Sequence, residues 1–258
     1  ANATLIDWYS RAAQHPEWFN NDGTHLETEG NQSFARILLA VLDNQFSPPE
    51  PDFNGDGYAD IPIGASGSLH SGASGAGNVT ILYGPNPTTT TPGYFHQGTS
   101  GIVGANERND HWGHQTYFGD FNGDGYDDLA ISAPDEDIGT IVDTGGLSVL
   151  YGSETGLQTG NAWSFNQGST GIPGANETND RWGATLTAGD FDGDGFHDLI
   201  VGVPQEDIGE IEDAGAVIVL YGSANGLEIS RSRGFNQGSA GIPGANEEGD
   251  RWGASIVA

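Results

Sequence analysis

Three stretches of the chain carry oxygen-bearing side chains at the same offsets. The first runs Asp52-Phe53-Asn54-Gly55-Asp56-Gly57-Tyr58-Ala59-Asp60-Ile61, the second from Asp120 to Leu129 and the third from Asp190 to Leu199. Carboxylates or amides stand at loop positions one, three, five and nine, and glycines at four and six. Hard divalent cations take about six to eight oxygen ligands, and short acidic loops supply them. A glycine at position six permits the sharp bend that brings successive carboxylates onto one ion. The candidate ligands are therefore Asp52, Asn54, Asp56 and Asp60, then Asp120, Asn122, Asp124 and Asp128, then Asp190, Asp192, Asp194 and Asp198. The carbonyls of Tyr58, Tyr126 and Phe196 would add a ligand each, giving one Ca²⁺ per loop. Asn-Gly and Asp-Gly also mark plain hairpin turns. A plain turn, however, has no use for carboxylates at positions one, five and nine in all three copies, where they repel one another without a cation.

Composition narrows the setting. The chain has 258 residues, a net charge of −29 and seven basic residues, all arginine. Such a surface lacks the clustered positive charge that nucleic acid requires, and an anionic membrane would repel it. No apolar run approaches the roughly 20 residues of a membrane span. There is no cysteine, so any cross-linking would fall to metal ions. Charge on this scale suits a saline or calcium-rich exterior, where screening is strong. With 42 glycines, the chain favours many short strands and tight turns over helices.

The loops sit inside a longer repeat. Trp112, Trp182 and Trp252 are 70 residues apart, as are Phe95, Phe165 and Phe235. Periods of this length point to a propeller or a solenoid. Each unit offers four strand-like stretches, in one unit Trp182–Asp190, Leu199–Val203, Ala216–Tyr221 and Ser232–Gln237. Four short strands per repeat make a β-propeller blade. The periodic tryptophans read as packing between blades, whereas Trp163 falls outside the period and is free to be exposed. Residues 1–46 differ. Phe34, Ile37, Leu38, Val41 and Leu42 predict an amphipathic helix over 29–44, capped by Thr28, with a short strand (3–8) and a helical segment (8–14) before it. Residues 47–51 read as a stiff proline-rich linker.

These repeats resemble the FG-GAP repeats of integrin α-subunit propellers and their bacterial relatives. The "FG" element stands as Trp112-Gly113, Trp182-Gly183 and Trp252-Gly253, and the "GAP" element as Ser132-Ala133-Pro134 and Gly202-Val203-Pro204, weakened to Gly64-Ala65-Ser66. The resemblance implies a mainly β fold, a partial propeller of four-stranded blades, calcium in each loop and a secreted or cell-surface setting. Repeats are expected over 52–119, 120–189 and 190–258. The first unit lacks a Trp-Gly strand before its loop. Its stretch 66–77 replaces the Glu-Asp-Ile-Gly of the others, so a different outer loop is expected there. Propellers have about four to eight blades, so further blades are expected from sequence beyond this chain or from another chain.

Within the first 46 residues, Asp22-Gly23-Thr24-His25-Leu26 resembles the last block of SGNH (GDSL-type) esterases and O-acyltransferases. That resemblance implies that Asp22 orients the imidazole and His25 acts as general base for a serine. The nucleophile block, Gly-Asp-Ser, is absent from this chain, which leaves an incomplete triad and no enzyme as it stands. The plain reading is a loop histidine before a helix, with Asp22 capping a turn. Two other acidic features recur. Asn-Glu followed by Asp stands at 106–110, 176–180 and 246–250, read as turn chemistry with Arg181 and Arg251 as partners or as support near a calcium loop. The pairs Glu136-Asp137 and Glu206-Asp207 read as an exposed, solvated face. The scattered histidines, His70, His96, His111, His114 and His197, read as incidental. The function expected is binding, adhesion or assembly outside the cell, with calcium structural and a protein or glycan ligand. The alternatives are an accessory part of a secreted esterase or acyltransferase and a glycan-binding propeller.

Overall fold

The computed structural model describes residues 50–85 and 91–257. The helices read over 8–14 and 29–44, the strand at 3–8, most of the linker, and Asp22 and His25 all lie outside the described residues. Pro51–Ala258 form one compact unit. Within it the chain is mainly β, and no helix among the described residues is long and apolar enough to cross a membrane.

Among the described residues, eleven strands build three antiparallel sheets. The first holds β1 (Ile61–Gly64), β2 (Val79–Leu82) and β3 (Gly93–Phe95). The second holds β4 (Thr116–Gly119), β5 (Asp128–Ala133), β6 (Gly146–Tyr151) and β7 (Gln158–Phe165) in that order. The third repeats it with β8 (Thr185–Gly189), β9 (Asp198–Val203), β10 (Ala216–Tyr221) and β11 (Glu228–Phe235). Every pairing joins sequence neighbours, so each sheet is a meander. The acidic loops connect β4 to β5 and β8 to β9, and the first acidic loop leads into β1.

Two boundaries differ from the sequence reading. The strand expected from Trp182 begins at Thr185, because Arg181 and Gly183 take positive φ (56° and 91°) and turn the chain first. The strand expected from Ser232 begins at Glu228, with the register shifting between Val219 and Tyr221 on its partner. A bulge of this kind lets a strand continue where simple alternation fails.

Side-chain alternation serves two cores at once. Along β5, Leu129, Ile131 and Ala133 join one apolar cluster with Phe53 of the first acidic loop and Val79 and Ile81 of β2. Ala130 points the other way, and with Leu147, Val149 and Tyr151 of β6 it joins Leu199, Val201 and Leu220 of the third sheet. Every residue of β5 and β6 is consequently buried, whereas the outer strand β7 is half-buried or exposed up to Phe165. This explains why the middle strands read as continuous apolar runs. Each large side chain so buried contributes about 1.5–3 kcal/mol.

Trp112 and Trp182 are 1% and 0% exposed, which bears out packing between sheets, and Trp163 is 43% exposed. Each periodic tryptophan is locked to a glycine that stands just before β2, β6 or β10. A Cβ on Gly77, Gly145 or Gly215 would lie 2.0, 2.2 or 2.3 Å from the carbonyl oxygen of Trp112, Trp182 or Trp252. All three glycines sit at φ of 82–90°, where a side chain is also strained. The stretch 66–77 corrects one expectation. It forms the same bridged loop as its counterparts, with His70 paired to Ala73 as Ile138 is to Ile141 and Ile208 to Ile211. Loop length and the closing glycine fix its shape, so the sequence change alters only what it displays.

Candidate metal centres

Each acidic loop is folded by its own side chains. In the second loop Asp120 Oδ1 accepts the amides of Gly123 (2.7 Å) and Asp124 (3.1 Å), and Asp120 Oδ2 accepts that of Gly125 (3.0 Å). Asn122 Oδ1 accepts from the Asp124 amide at 2.9 Å and Asp124 Oδ1 from the Tyr126 amide at 3.0 Å. The third loop repeats this with Asp190, Asp192 and Asp194, and Phe196 donates its amide to Asp194. In the first loop Asp52 accepts from Asp56 and Gly57, Asn54 from Asp56, and Asp56 from Tyr58. Such short-range bonds are the turn chemistry natural to Asx residues. The glycines at positions four and six all have positive φ: Gly55 and Gly57, Gly123 and Gly125, Gly193 and Gly195.

This bending draws positions one, three and five together. Ligand oxygens of Asp190, Asp192 and Asp194 lie within 4.8 Å of one another, all on exposed residues. Position nine behaves differently. Asp60, Asp128 and Asp198 are 3%, 0% and 0% exposed and stand outside that set. One oxygen of each accepts the amide at loop position two, from Phe53 (2.8 Å), Phe121 (2.9 Å) and Phe191 (2.9 Å). The other accepts the amide of Gly84, Gly152 or Gly222 at 2.9 Å, just past the next strand. The ninth carboxylate thus clamps the hairpin to its neighbour strand, and lone pairs remain on both oxygens. Burial pushes Asp128 up to about 8, with Asp124 and Asp120 adding to the rise and the Gly152 and Phe121 amides opposing it. Burial also raises Asp60 and Asp198.

The donor set fits a hard divalent ion. Carboxylate and amide oxygens converge on one exposed bend, no soft ligand stands among them, and the first aspartate is pre-oriented by two or three amides.

Positions seven and eight, of which the sequence reading used only a carbonyl, stitch the loops in a row. The rings of Tyr126 and Phe196 cover the backbone of Gly55 and Gly123 in the preceding loop, where an added Cβ would meet them at 2.6 and 2.4 Å. Asp127 Oδ2 accepts the Asp52 amide at 2.9 Å, and His197 Nδ1 accepts the Asp120 amide at 3.0 Å. His197 is therefore not incidental. A repeat-by-repeat alignment exposes this position, but Ala59, Asp127 and His197 share no obvious chemistry there.

The recurrent acidic pairs also behave otherwise than a solvated face. Glu136 and Glu206 turn inward and accept from the amide nitrogens of Gln97 (2.5 Å) and Gln167 (2.6 Å), 39 residues away. Burial raises each to about 7, and neighbouring Asp110 and Glu107, or Asp180 and Glu177, add to the rise. Asp137 and Asp207 remain exposed. The turn reading of the Asn-Glu motif stands: Asp110, Asp180 and Asp250 accept the amides of Glu107, Glu177 and Glu247. Burial raises Asp110 and Asp180 to about 6. The arginines pair elsewhere, Arg181 with Asp135 at 2.7 Å and Arg251 with Asp213 at 3.4 Å. His111, at the position equivalent to Arg181, also binds Asp135, at 2.6 Å.

A meander repeated three times, with an acidic bend leading into β1, β5 and β9, defines a repeat protein, and its class has a family match. Residues 51–82, 112–150 and 182–220 match the FG-GAP repeat, so the chain carries three FG-GAP repeats. Over 153 residues, 59% of the chain, it is 33% identical to phosphatidylinositol-glycan-specific phospholipase D of Mus musculus. It is 30% identical over 122 residues, 43% of the chain, to the protein of that name from Dictyostelium discoideum. These matches span 17% and 13% of those proteins. A further stretch of 41 residues, 16% of the chain, is 39% identical to 6% of the putative peptidoglycan O-acetyltransferase YrhL of Bacillus subtilis.

Proposed function

We propose that the chain is part of an extracellular, calcium-stabilised β-propeller whose FG-GAP blades serve binding, adhesion or assembly. The observation that carries this reading is the bend around two glycines of positive φ, repeated in three loops, which in the third brings oxygens of Asp190, Asp192 and Asp194 within 4.8 Å of one another. Asp52, Asn54 and Asp56, then Asp120, Asn122 and Asp124, then Asp190, Asp192 and Asp194 would hold one Ca²⁺ each. The carbonyls at positions 58, 126 and 196 and the carboxylates of Asp60, Asp128 and Asp198 are the further candidates. Bound calcium neutralises the carboxylate cluster and adds its binding free energy to folding. The role is structural, because the loops lie at hairpin bends and their oxygens face one another.

The test is a thermal melt with chelator and with calcium, alongside calorimetric titration. Stripping with EDTA should lower the melting temperature by many degrees, calcium should restore it, and about three ions should bind. An unchanged melt with no heat of binding would remove the calcium reading.

A second reading is favoured by the short similarity to an O-acetyltransferase. In it the propeller is the accessory part of a secreted esterase or acyltransferase, with Asp22 and His25 belonging to its catalytic domain and the serine supplied by further sequence. Hydrolysis of an aryl acetate by a longer form of the protein, abolished by His25→Ala, would establish it. No turnover by that form would dismiss it.

A further inference from the structure

The third acidic loop differs from the other two in one ligand position and in one neighbour. Position three is Asn54 in the first loop, Asn122 in the second and Asp192 in the third. Asp192 is therefore an extra negative charge in an already acidic bend. Arg231, on β11, reaches it: Arg231 Nη2 lies 2.9 Å from Asp192 Oδ2, and Nη1 lies 3.7 Å from Asp194 Oδ2. The guanidinium also stands 5.1 Å over the Tyr221 ring, and Glu228 lies 3.9 Å away on the same strand. Counting back by the 70-residue spacing of Phe95, Phe165 and Phe235, the residues at the Arg231 position are Asn161 and Thr91. Arginine occurs at this position only in the repeat whose third ligand is an aspartate.

We infer that Arg231 is the built-in counter-charge of the third loop and sets its affinity for a divalent cation. The inference rests on the calcium reading above. At positions one, three, five and nine the first two loops carry three carboxylates each. The third carries four, and Arg231 offsets one of them. A guanidinium stays charged at every accessible pH, so this offset is permanent. It lowers the attraction for an incoming cation, and it limits repulsion among Asp190, Asp192 and Asp194 while the loop is empty. The face of Tyr221 and the carboxylate of Glu228 hold the side chain where it acts. Asp192 Oδ1 accepts the Asp194 amide at 3.2 Å, so Arg231 takes the oxygen that the bend does not use.

Calorimetric titration with calcium in an Asp56→Ala, Asp124→Ala background isolates the third loop. Replacing Arg231 by the asparagine of the second repeat (Arg231→Asn) should tighten binding about three- to tenfold at low salt, and less at high salt. Adding Asp192→Asn should return the affinity to near its starting value. In chelator, Arg231→Asn should lower the melting temperature, and the added Asp192→Asn should restore it. Unchanged or weaker calcium binding in Arg231→Asn would overturn the inference while leaving the calcium reading intact. Absence of calcium binding to the otherwise unmutated chain would overturn both.

Discussion

Asp127 Oδ2 accepts the backbone amide of Asp52 at 2.9 Å, across 75 residues of sequence. The bond is returned: the Asp127 amide donates to the Asp52 carbonyl at 3.2 Å. The eighth position of one acidic loop thus fastens the first position of the loop before it. His197 repeats both bonds to Asp120. The loops are consequently one connected strip rather than three separate bends.

Asp127→Ala should destabilise the fold by about 1–3 kcal/mol, because the Asp52 amide loses a partly buried acceptor. Asp127→Asn keeps an acceptor oxygen and should come much closer to the parent. Urea unfolding of the two variants makes the comparison. Equal loss in both would mean that charge, rather than the bond, is what matters.

Gly145 and Gly139 separate strain from collision. Both have positive φ, 90° and 68°. A Cβ on Gly145 would sit 2.2 Å from the Trp182 carbonyl, whereas nothing lies within 4 Å of one on Gly139. Gly139→Ala should cost only the left-handed strain, about 1–2 kcal/mol. Gly145→Ala should cost more than twice that, because backbone has to move. Melting temperatures of the pair give the answer.

Two of the three periodic tryptophans, Trp112 and Trp182, differ in one bond. Trp112 Nε1 donates to Ser148 Oγ at 3.2 Å. In the third sheet Ile218 stands at that position, and Trp182 Nε1 is buried without an acceptor. Trp112→Phe leaves Ser148 short of a bond, while Trp182→Phe removes an unsatisfied donor. The first should therefore be the more destabilising, by about 1–2 kcal/mol. Chemical denaturation checks the order.

Glu136 and Glu206 give the fold a pH dependence of definite sign. Both are raised from 4.5 to about 7 by burial. A raised carboxyl favours folding while it is protonated. Its contribution is full below the unfolded value near 4.5 and is lost as pH rises through about 7. Glu206→Gln keeps an acceptor for Gln167 and cannot ionise. This variant should be more stable than the parent at pH 8, on the order of 1–2 kcal/mol, and show no gain at pH 4.5. Melts at the two pH values, in chelator, make the measurement.

One ligand removed should cost one ion. Asp124→Ala is expected to lower the calcium stoichiometry from about three to about two and to leave the other two affinities within a few fold. Titration calorimetry reads both quantities.

Local chemistry made much of this legible. Glycine and Asx residues at fixed offsets dictate the acidic bends, since few other side chains take those backbone angles or close those turns. The 70-residue period announced four short strands per repeat, and the positions of Trp112 and Trp182 announced their burial. Short-range rules end there. The partners of Glu136, Asp127, His197 and Arg231 lie 39 to 77 residues away, and no local pattern encodes which sheet face meets which. The same limit made Glu136-Asp137 and Glu206-Asp207 look like a solvated surface. Alternation at a turn says nothing about a glutamine arriving from the previous sheet. The sequence by itself determined the bends, the oxygen-bearing side chains placed on them and the repeat. Only the tertiary structure decided that the ninth carboxylate clamps a hairpin, that neighbouring loops hold one another, and that the third loop meets an arginine. Those outcomes depend on how one sheet lies against the next, and that is settled by packing across the whole chain.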